Sequence, residues 1–250
     1  MLTRGKHKLE SVVIDMDFYR LSLLRIVDEA PDIKTFYFDV PDGFSWDEGA
    51  HVHLAFNNFR DGDKPDKSRV RHMSIATLAS EGEIAITTKL NDYSPYKQDM
   101  ARLEVGDTMT FFKTGSLVRL RRENRRLVFL VMGVAKATLR PLIKKASEDP
   151  SDIEAIDVLL VHRPGQEAYP GELEAIDFPR YNYMLAYGKD SYYEQLAEME
   201  ANAVFYVIGS DDFIRETIQI LEHKGVPGAD IVIDKREQLR QNYFATSSET

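Results

Sequence analysis

Cysteine is absent from this chain of 250 residues. Its absence excludes disulfides, thiolate nucleophiles, zinc–thiolate sites and a cysteine-ligated iron–sulfur cluster held by this chain. Any redox chemistry therefore needs a borrowed cofactor. Long apolar runs are also missing. The longest, LVFLVMGVA from Leu127 to Ala135, is far below the roughly 20 residues that span a bilayer. The opening MLTRGKHKLESVVIDMDF holds only a short apolar run, VVI, too short for a signal-peptide core, so a soluble cytoplasmic protein is expected. Positive charge is in deficit: 32 basic against 41 acidic side chains give a net charge of −9. Such a surface repels phosphate backbones and anionic lipid, which disfavours nucleic acid and membrane partners.

What is present is enough apolar material for a sizeable core, 43% of the residues, in a length that favours two modest domains. From Tyr19 to about Leu120 the pattern is one of short strands. YRLSLLRIV, IKTFYFDV, AHVHLAF, VRHMSIATL, EIAITTKL and TMTFFKT are rich in β-branched and aromatic residues, with PDG and GD turn signals between several of them. These six strands predict a closed antiparallel barrel. One helix interrupts them, with Ser94 as N-cap and Pro95 at the first helical position.

After RRENRR the pattern changes. LVFLVMG reads as a buried parallel strand, followed by the helix KATLRPLIKKASED with Pro141 in its first turn or two. Strands AIDVLLVHR, YNYMLAYG, AVFYVIGS and DIVIDK alternate with helices SYYEQLAEMEA and DDFIRETIQILEHKG, which predicts a doubly wound parallel sheet. The expected division is a barrel domain over 1–120, with an N-terminal extension over 1–18, and an α/β domain over 121–250.

Within RVRHMSIAT, Arg71 and Ser74 sit three apart on a strand and serve one ligand only where it wraps the strand's end or edge. A flavin nucleotide fits, because its phosphates suit a guanidinium fork and its ring N5 suits a small hydrogen-bonding group. An exposed arginine beside an ordinary strand serine is the competing reading. Ser94 opens a helix whose first N–H groups are free for a phosphate, or else simply caps it.

Taken in order, EGAHVHL, RHMSIAT, ITTKL, YSPYKQDMARLEVGD, KTGSL, LVFLVMGVAKATLRPLI, VLLVHR and FYVIGSDDF resemble the ferredoxin–NADP reductase superfamily of flavin-dependent NAD(P)H oxidoreductases, from Tyr19 to about Asp234. The resemblance implies that Arg71 binds flavin phosphate and that Ser74, the catalytic candidate, lies beside N5. Met73 replaces the aromatic that stacks on the flavin, as a polarizable thioether can, and His72 holds the flavin through its backbone. Asn91 stands for a glycine in the pyrophosphate turn, where Ser94 keeps the hydroxyl. Lys89, Tyr93 and the TGS loop of Thr114, Gly115 and Ser116 are further candidates for the same ligand.

The nicotinamide turn matches less well. Gly133 is kept, Ala135 replaces the second glycine and Thr138 the proline, with Lys136 placed to offer charge to a phosphate. A plain strand-to-helix turn is the alternative. Gly209 matches the loop under the nicotinamide, Ile208 replaces its cysteine, and Asp211 and Asp212 are expected to cap the next helix. Arg163 occupies a position that the family sometimes uses for the NADP 2′-phosphate.

The implied function is hydride transfer from NAD(P)H to bound FAD, with FMN the lesser choice, and on to a separate acceptor: a small redox protein, a quinone, a ferric chelate or free flavin. Two alternatives stay open, a flavin-binding subunit that has lost NAD(P)H binding and a ferric-siderophore or flavin reductase. His51 and His53 share a strand face, but with no third ligand in sequence packing is expected and no metal. RLRRENRR, residues 119–126, is expected to be an interdomain linker or a docking patch for an acidic carrier.

Overall fold

The computed structural model describes residues 17–90 and 94–244. Asn91, Tyr93 and the expected N-terminal extension up to residue 16 lie outside the described residues. Strands β1 (Phe18–Ala30), β2 (Ile33–Phe38), β3 (Ala50–Phe56), β4 (Val70–Ser74), β5 (Ile84–Lys89) and β6 (Thr108–Ser116) form one curled antiparallel sheet in the order β4-β3-β6-β1-β2-β5. Period-two alternation sends Leu21 and Leu23, Phe36 and Phe38, Val52 and Leu54, Ile84 and Ile86 into its interior. Helix α1 (Pro95–Ala101) covers one end with buried Tyr96 and Met100, and the Tyr96 hydroxyl donates to the Leu54 carbonyl at 3.0 Å.

The expected barrel is present, but strand pairing does not close it. Strands β4 and β5 remain the two edges, joined just beyond β4 by a backbone bond from Ala76 N–H to the Ala85 carbonyl of β5, 2.8 Å. An edge left open in this way is a natural groove for a ligand.

The second half alternates as its hydrophobic runs predict. Strand β7 (Arg125–Met132) leads into α2 (Lys136–Glu148), then β8 (Ile153–Val161), β9 (Tyr181–Ala186), α3 (Lys189–Glu198), β10 (Val204–Ile208), α4 (Asp211–His223), β11 (Ile231–Ile233) and α5 (Glu237–Arg240). The sheet is parallel throughout, in the order β11-β10-β7-β8-β9. One face of β7 packs Val128 and Leu130 against α3 and α4; the other packs Leu127, Phe129 and Val131 against α2. The chain leaves β7 toward β8 and later returns to β10 on its other side, so the direction of winding reverses between β7 and β10. Ligands of open α/β sheets bind outside the carboxyl ends of the strands at such a switch point.

Two buried contacts hold the sheets together. Arg140 of α2 donates to the Ala76 carbonyl and reaches Glu81 and Glu172. Tyr169, in the long β8–β9 connection, places its hydroxyl against Thr87 and Thr35 and its N–H on Glu29. The basic run 119–126 joins β6 to β7 and supplies the first two residues of β7, and its arginines are paired with carboxylates, Arg119 with Asp47. Arg121 pairs with Glu123, Arg122 with Asp149, Arg125 with Asp230 and Arg126 with Asp157.

Candidate functional site

The open edge of the antiparallel sheet faces the strand ends of the parallel sheet across one cleft of about 750 Å³, a volume in the range typical of small-molecule sites. Strand β4 contributes His72, Met73 and Ser74, and β5 contributes Thr87, Thr88 and Lys89. The opposite wall comes from the carboxyl ends of β7, β8, β10 and β11 and the segments after them, including Met132, Gly133, Arg163, Gly209 and Asp234, with Thr138 at the start of α2. Eight of the expected ligand-binding residues thus meet here: His72, Met73, Ser74, Lys89, Gly133, Thr138, Arg163 and Gly209.

The walls touch at Ser74. Thr138 Oγ1 donates to Ser74 Oγ at 2.8 Å. Lys89 Nζ lies 2.7 Å from Asp32 and 3.4 Å from Gln166 Oε1, so its charge is already partnered. Gly133 has φ +56° with nothing within 4 Å of an added Cβ, so backbone conformation rather than crowding calls for glycine. Gly209 is the reverse. A Cβ there would lie 2.6 Å from the Phe213 ring and 3.1 Å from Met132, so helix packing suffices to explain it.

Several candidates lie elsewhere. The Arg71 guanidinium sits beyond the cleft, 4.9 Å from the Tyr96 ring centroid in the first turn of α1, and donates to the carbonyls of Ser68 and Val70. It thus lies against the Tyr96 side chain of α1. Ser94 occupies the N-cap with its hydroxyl making no cap bond; its carbonyl accepts from Lys97 and Gln98. Thr114, Gly115 and Ser116 line a separate cavity of about 350 Å³ beside Trp46 and Arg119. Lys136 turns away from the cleft. Its side chain is fully buried, with Nζ 2.6 Å from Glu167, 3.1 Å from the Tyr169 carbonyl and 3.7 Å from Glu174. Carboxylates, not a phosphate, take its charge.

Two other expectations change. Ser210, not Asp211 or Asp212, caps α4 by accepting from the Phe213 N–H at 3.3 Å. The two aspartates fall in the first turn, where Asp211 pairs with Lys235 and accepts from the Tyr243 hydroxyl. A third imidazole does join His51 and His53, because β3–β4 register sets His72 opposite His53. The His51 and His72 rings lie 3.9 Å apart, and burial, together with neighbouring imidazoles, lowers both pKa values to about 4. Among the described residues no cluster has metal-binding geometry.

Residues that the sequence did not single out complete the wall. His162 Nδ1 lies 2.9 Å from the Arg163 carbonyl, which can only accept, so Nδ1 carries the proton. Its Nε2 is buried and makes no hydrogen bond, 4.0 Å from Glu167 Oε2, and Asp234 Oδ1 likewise makes none, 3.8 Å from Lys235 Nζ. Burial raises the Asp234 pKa, with Lys235 opposing. His162, Gly188, Lys189 and Asp234 each follow a parallel strand, so the strand-end rule alone, applied to every predicted strand, finds them.

No protein-family model matches the chain, and no curated protein matches it either. Solved structures do. A ferredoxin reductase of carbazole 1,9a-dioxygenase has TM-score 0.73 and 12% identity, covering 89% of this chain and 70% of that one. A ferredoxin NADP+ reductase from Neisseria gonorrhoeae, with bound FAD and NADP, has TM-score 0.68 and 16% identity, covering 86% and 97%. A variant ferredoxin-NADP+ reductase from Plasmodium falciparum in complex with 2′P-AMP has TM-score 0.70 and 14% identity, covering 86% and 94%. No helix among the described residues is long and apolar enough to cross a membrane. At these identities the likeness is one of architecture, and the chain has the ferredoxin–NADP reductase fold.

Proposed function

We propose that this chain is a flavoprotein reductase that binds FAD along the open β4–β5 edge, takes hydride from NAD(P)H and passes electrons to a separate acceptor. The observation that carries this reading is the single cleft in which the β4 edge, with Ser74, meets the strand ends at the switch point. The residues present suit a flavin nucleotide. Arg71 stands against the Tyr96 ring of α1, where a diphosphate would find a guanidinium, although Pro95 has no N–H and those of Lys97 and Gln98 are already taken by the Ser94 carbonyl. Met73 offers a thioether face for a ring, and Ser74 a hydroxyl for N5. Buried His162 Nε2 and Asp234 Oδ1 make no hydrogen bond and face the cleft from the opposite wall, where a polar ligand would meet them. A bound flavin supplies a hydride acceptor at N5 and a store of two electrons. The protein's part is to hold distance and angle and to keep water out.

On this reading the units divide near residue 120, the first carrying FAD and the second receiving the nicotinamide nucleotide. The bound FAD and NADP of the Neisseria reductase support the choice of cofactors. A second reading, a flavin-binding electron-transfer subunit without NAD(P)H chemistry, is favoured by one observation: Lys136, in the nicotinamide turn, is consumed by Glu167.

The experiment is direct. The purified protein is mixed with FAD and with FMN, freed of unbound flavin, and titrated anaerobically with NADH and NADPH. Retained yellow colour that bleaches supports the reductase, and colour that persists supports the subunit. A protein that retains neither flavin refutes both. Ferric chelate, quinone and small redox proteins, offered as oxidants of the bleached protein, identify the acceptor class.

A further inference from the structure

The contact between Thr138 and Ser74 carries more than a link between two walls. A threonine in a helix commonly turns its hydroxyl back to the carbonyl one turn earlier. Thr138 instead donates across the cleft floor to Ser74 Oγ, 2.8 Å away. A hydroxyl has one proton to give and two lone pairs to accept with. Thr138 occupies one lone pair, and Ser74 Oγ makes no other hydrogen bond among the described residues. Ser74 itself faces the cleft, so its proton remains for whatever enters.

We propose that Thr138 is a positioning residue, which by donating to Ser74 fixes the Ser74 hydroxyl as a hydrogen-bond donor to N5 of a bound flavin. The inference rests on the flavin reading above. Without Thr138, a strand serine is free to turn its proton to a neighbouring backbone carbonyl. With it, one lone pair is filled and the proton is directed away from Thr138. A hydroxyl that accepts a hydrogen bond also donates a stronger one, because the two bonds polarise each other. Since Thr138 belongs to α2 and Ser74 to β4, the donor is set only when both sheets are in place. The orientation of the flavin-facing hydroxyl is thereby coupled to the wall from which nicotinamide would approach.

The test uses the full chain loaded with flavin labelled with ¹⁵N at N5, in wild type, Thr138→Val, Thr138→Ser and Ser74→Ala. A hydrogen bond to N5 moves its ¹⁵N resonance upfield. The expected result is an upfield N5 shift in wild type and Thr138→Ser that is lost in Ser74→Ala and reduced by about half in Thr138→Val, consistent with a bond weakened rather than removed. Anaerobic stopped-flow hydride transfer falls about two- to threefold in Thr138→Val, half in free energy of what one neutral hydrogen bond contributes. Thr138→Ala carries the same expectation should the valine disturb packing. An N5 resonance in both Thr138→Val and Thr138→Ala equal to wild type overturns the proposal, and so does one unchanged in Ser74→Ala. Wild-type protein that retains no flavin gives no N5 signal at all and refutes the flavin reading itself.

Discussion

Replacing Arg140 by methionine should cost about 3 kcal/mol of stability and should uncouple the two sheets. Arg140 is 7% exposed. Its guanidinium takes Glu81 in two bonds of 2.9 and 2.7 Å, Glu172 at 2.9 and 2.6 Å, and the Ala76 carbonyl at 2.8 Å. Removing one partner of a buried ion pair typically costs about 3–5 kcal/mol, because the other partner is left charged and desolvated. Here Lys144 remains 2.7 Å from Glu81 and 3.7 Å from Glu172, which sets the loss at the lower end. For a chain of this size that is a fall in Tm of about 6–12 °C. Urea unfolding reads it with two probes. Trp46, the one tryptophan of the chain, donates to the Thr77 carbonyl in the antiparallel half, whereas far-UV circular dichroism is dominated by the helices of the parallel half. In wild type the two transitions should coincide; in Arg140→Met they should separate. Arg140→Lys, which keeps the charge but loses the fork, should fall between. A loss below about 1 kcal/mol would place the clasp among ordinary surface pairs and refute the reasoning.

The same clasp predicts acid lability. Burial disfavours ionised Glu81, but hydrogen bonds from Arg140, Lys144 and the Leu78 N–H outweigh it and hold the pKa at about 2 against an ordinary 4.5. Because the folded value is depressed, the stabilisation is complete above pH 4.5 and is lost as pH falls toward 2. After discounting for partial exposure it amounts to about 2 kcal/mol. Urea midpoints between pH 6 and 3 measure it, and Glu81→Gln should flatten the curve; an unchanged slope counts against the assignment. Gly209→Ala places a Cβ 2.6 Å from the Phe213 ring and should cost about 1–3 kcal/mol through overpacking, a value near zero showing that Phe213 can move freely. Tyr169→Phe strips the hydroxyl from Thr87 and Thr35 and should cost about 1–2 kcal/mol in the same assay, with no change if water replaces the contact.

Both sheets were legible because their signals are local. Period-two alternation in β1–β6 and the unbroken apolar run of β7 are fixed by which faces are buried. The open β4–β5 edge was not legible, since alternation reports a strand's faces and not its neighbours. His72 joined His51 and His53 through cross-strand register, which no linear pattern displays. The cap of α4 moved to Ser210 because the helix begins two residues before Phe213, and helix ends are the least determined part of a periodic signal. Arg140 and Tyr169 were overlooked for a stronger reason: their partners lie far away along the chain, and an interior arginine or tyrosine in a helix or loop looks ordinary until its neighbours are known. Lys136 shows the limit for site residues. Position put it in the turn, but its direction was decided by Glu167 and Glu174.

That redirection of Lys136 shapes what the cleft can recognise. Lys89 is held by Asp32 and Lys189 by Glu216, so among the described lining residues Arg163 is the full cation without a carboxylate partner. On the proposed reading a nucleotide on the parallel-sheet wall meets the Arg163 guanidinium and two buried atoms that make no hydrogen bond, His162 Nε2, 4.0 Å from Glu167, and Asp234 Oδ1, 3.8 Å from Lys235 Nζ. Buried acceptors are satisfied by donors, such as ribose hydroxyls or a carboxamide N–H, whereas a second phosphate beside Asp234 adds repulsion to a chain already at −9. On that proposed reading, recognition on that wall leans on hydrogen-bond donors of the ligand more than on its negative charge. The flavin phosphates, on the same reading, lie on the opposite side, beside the Arg71 guanidinium.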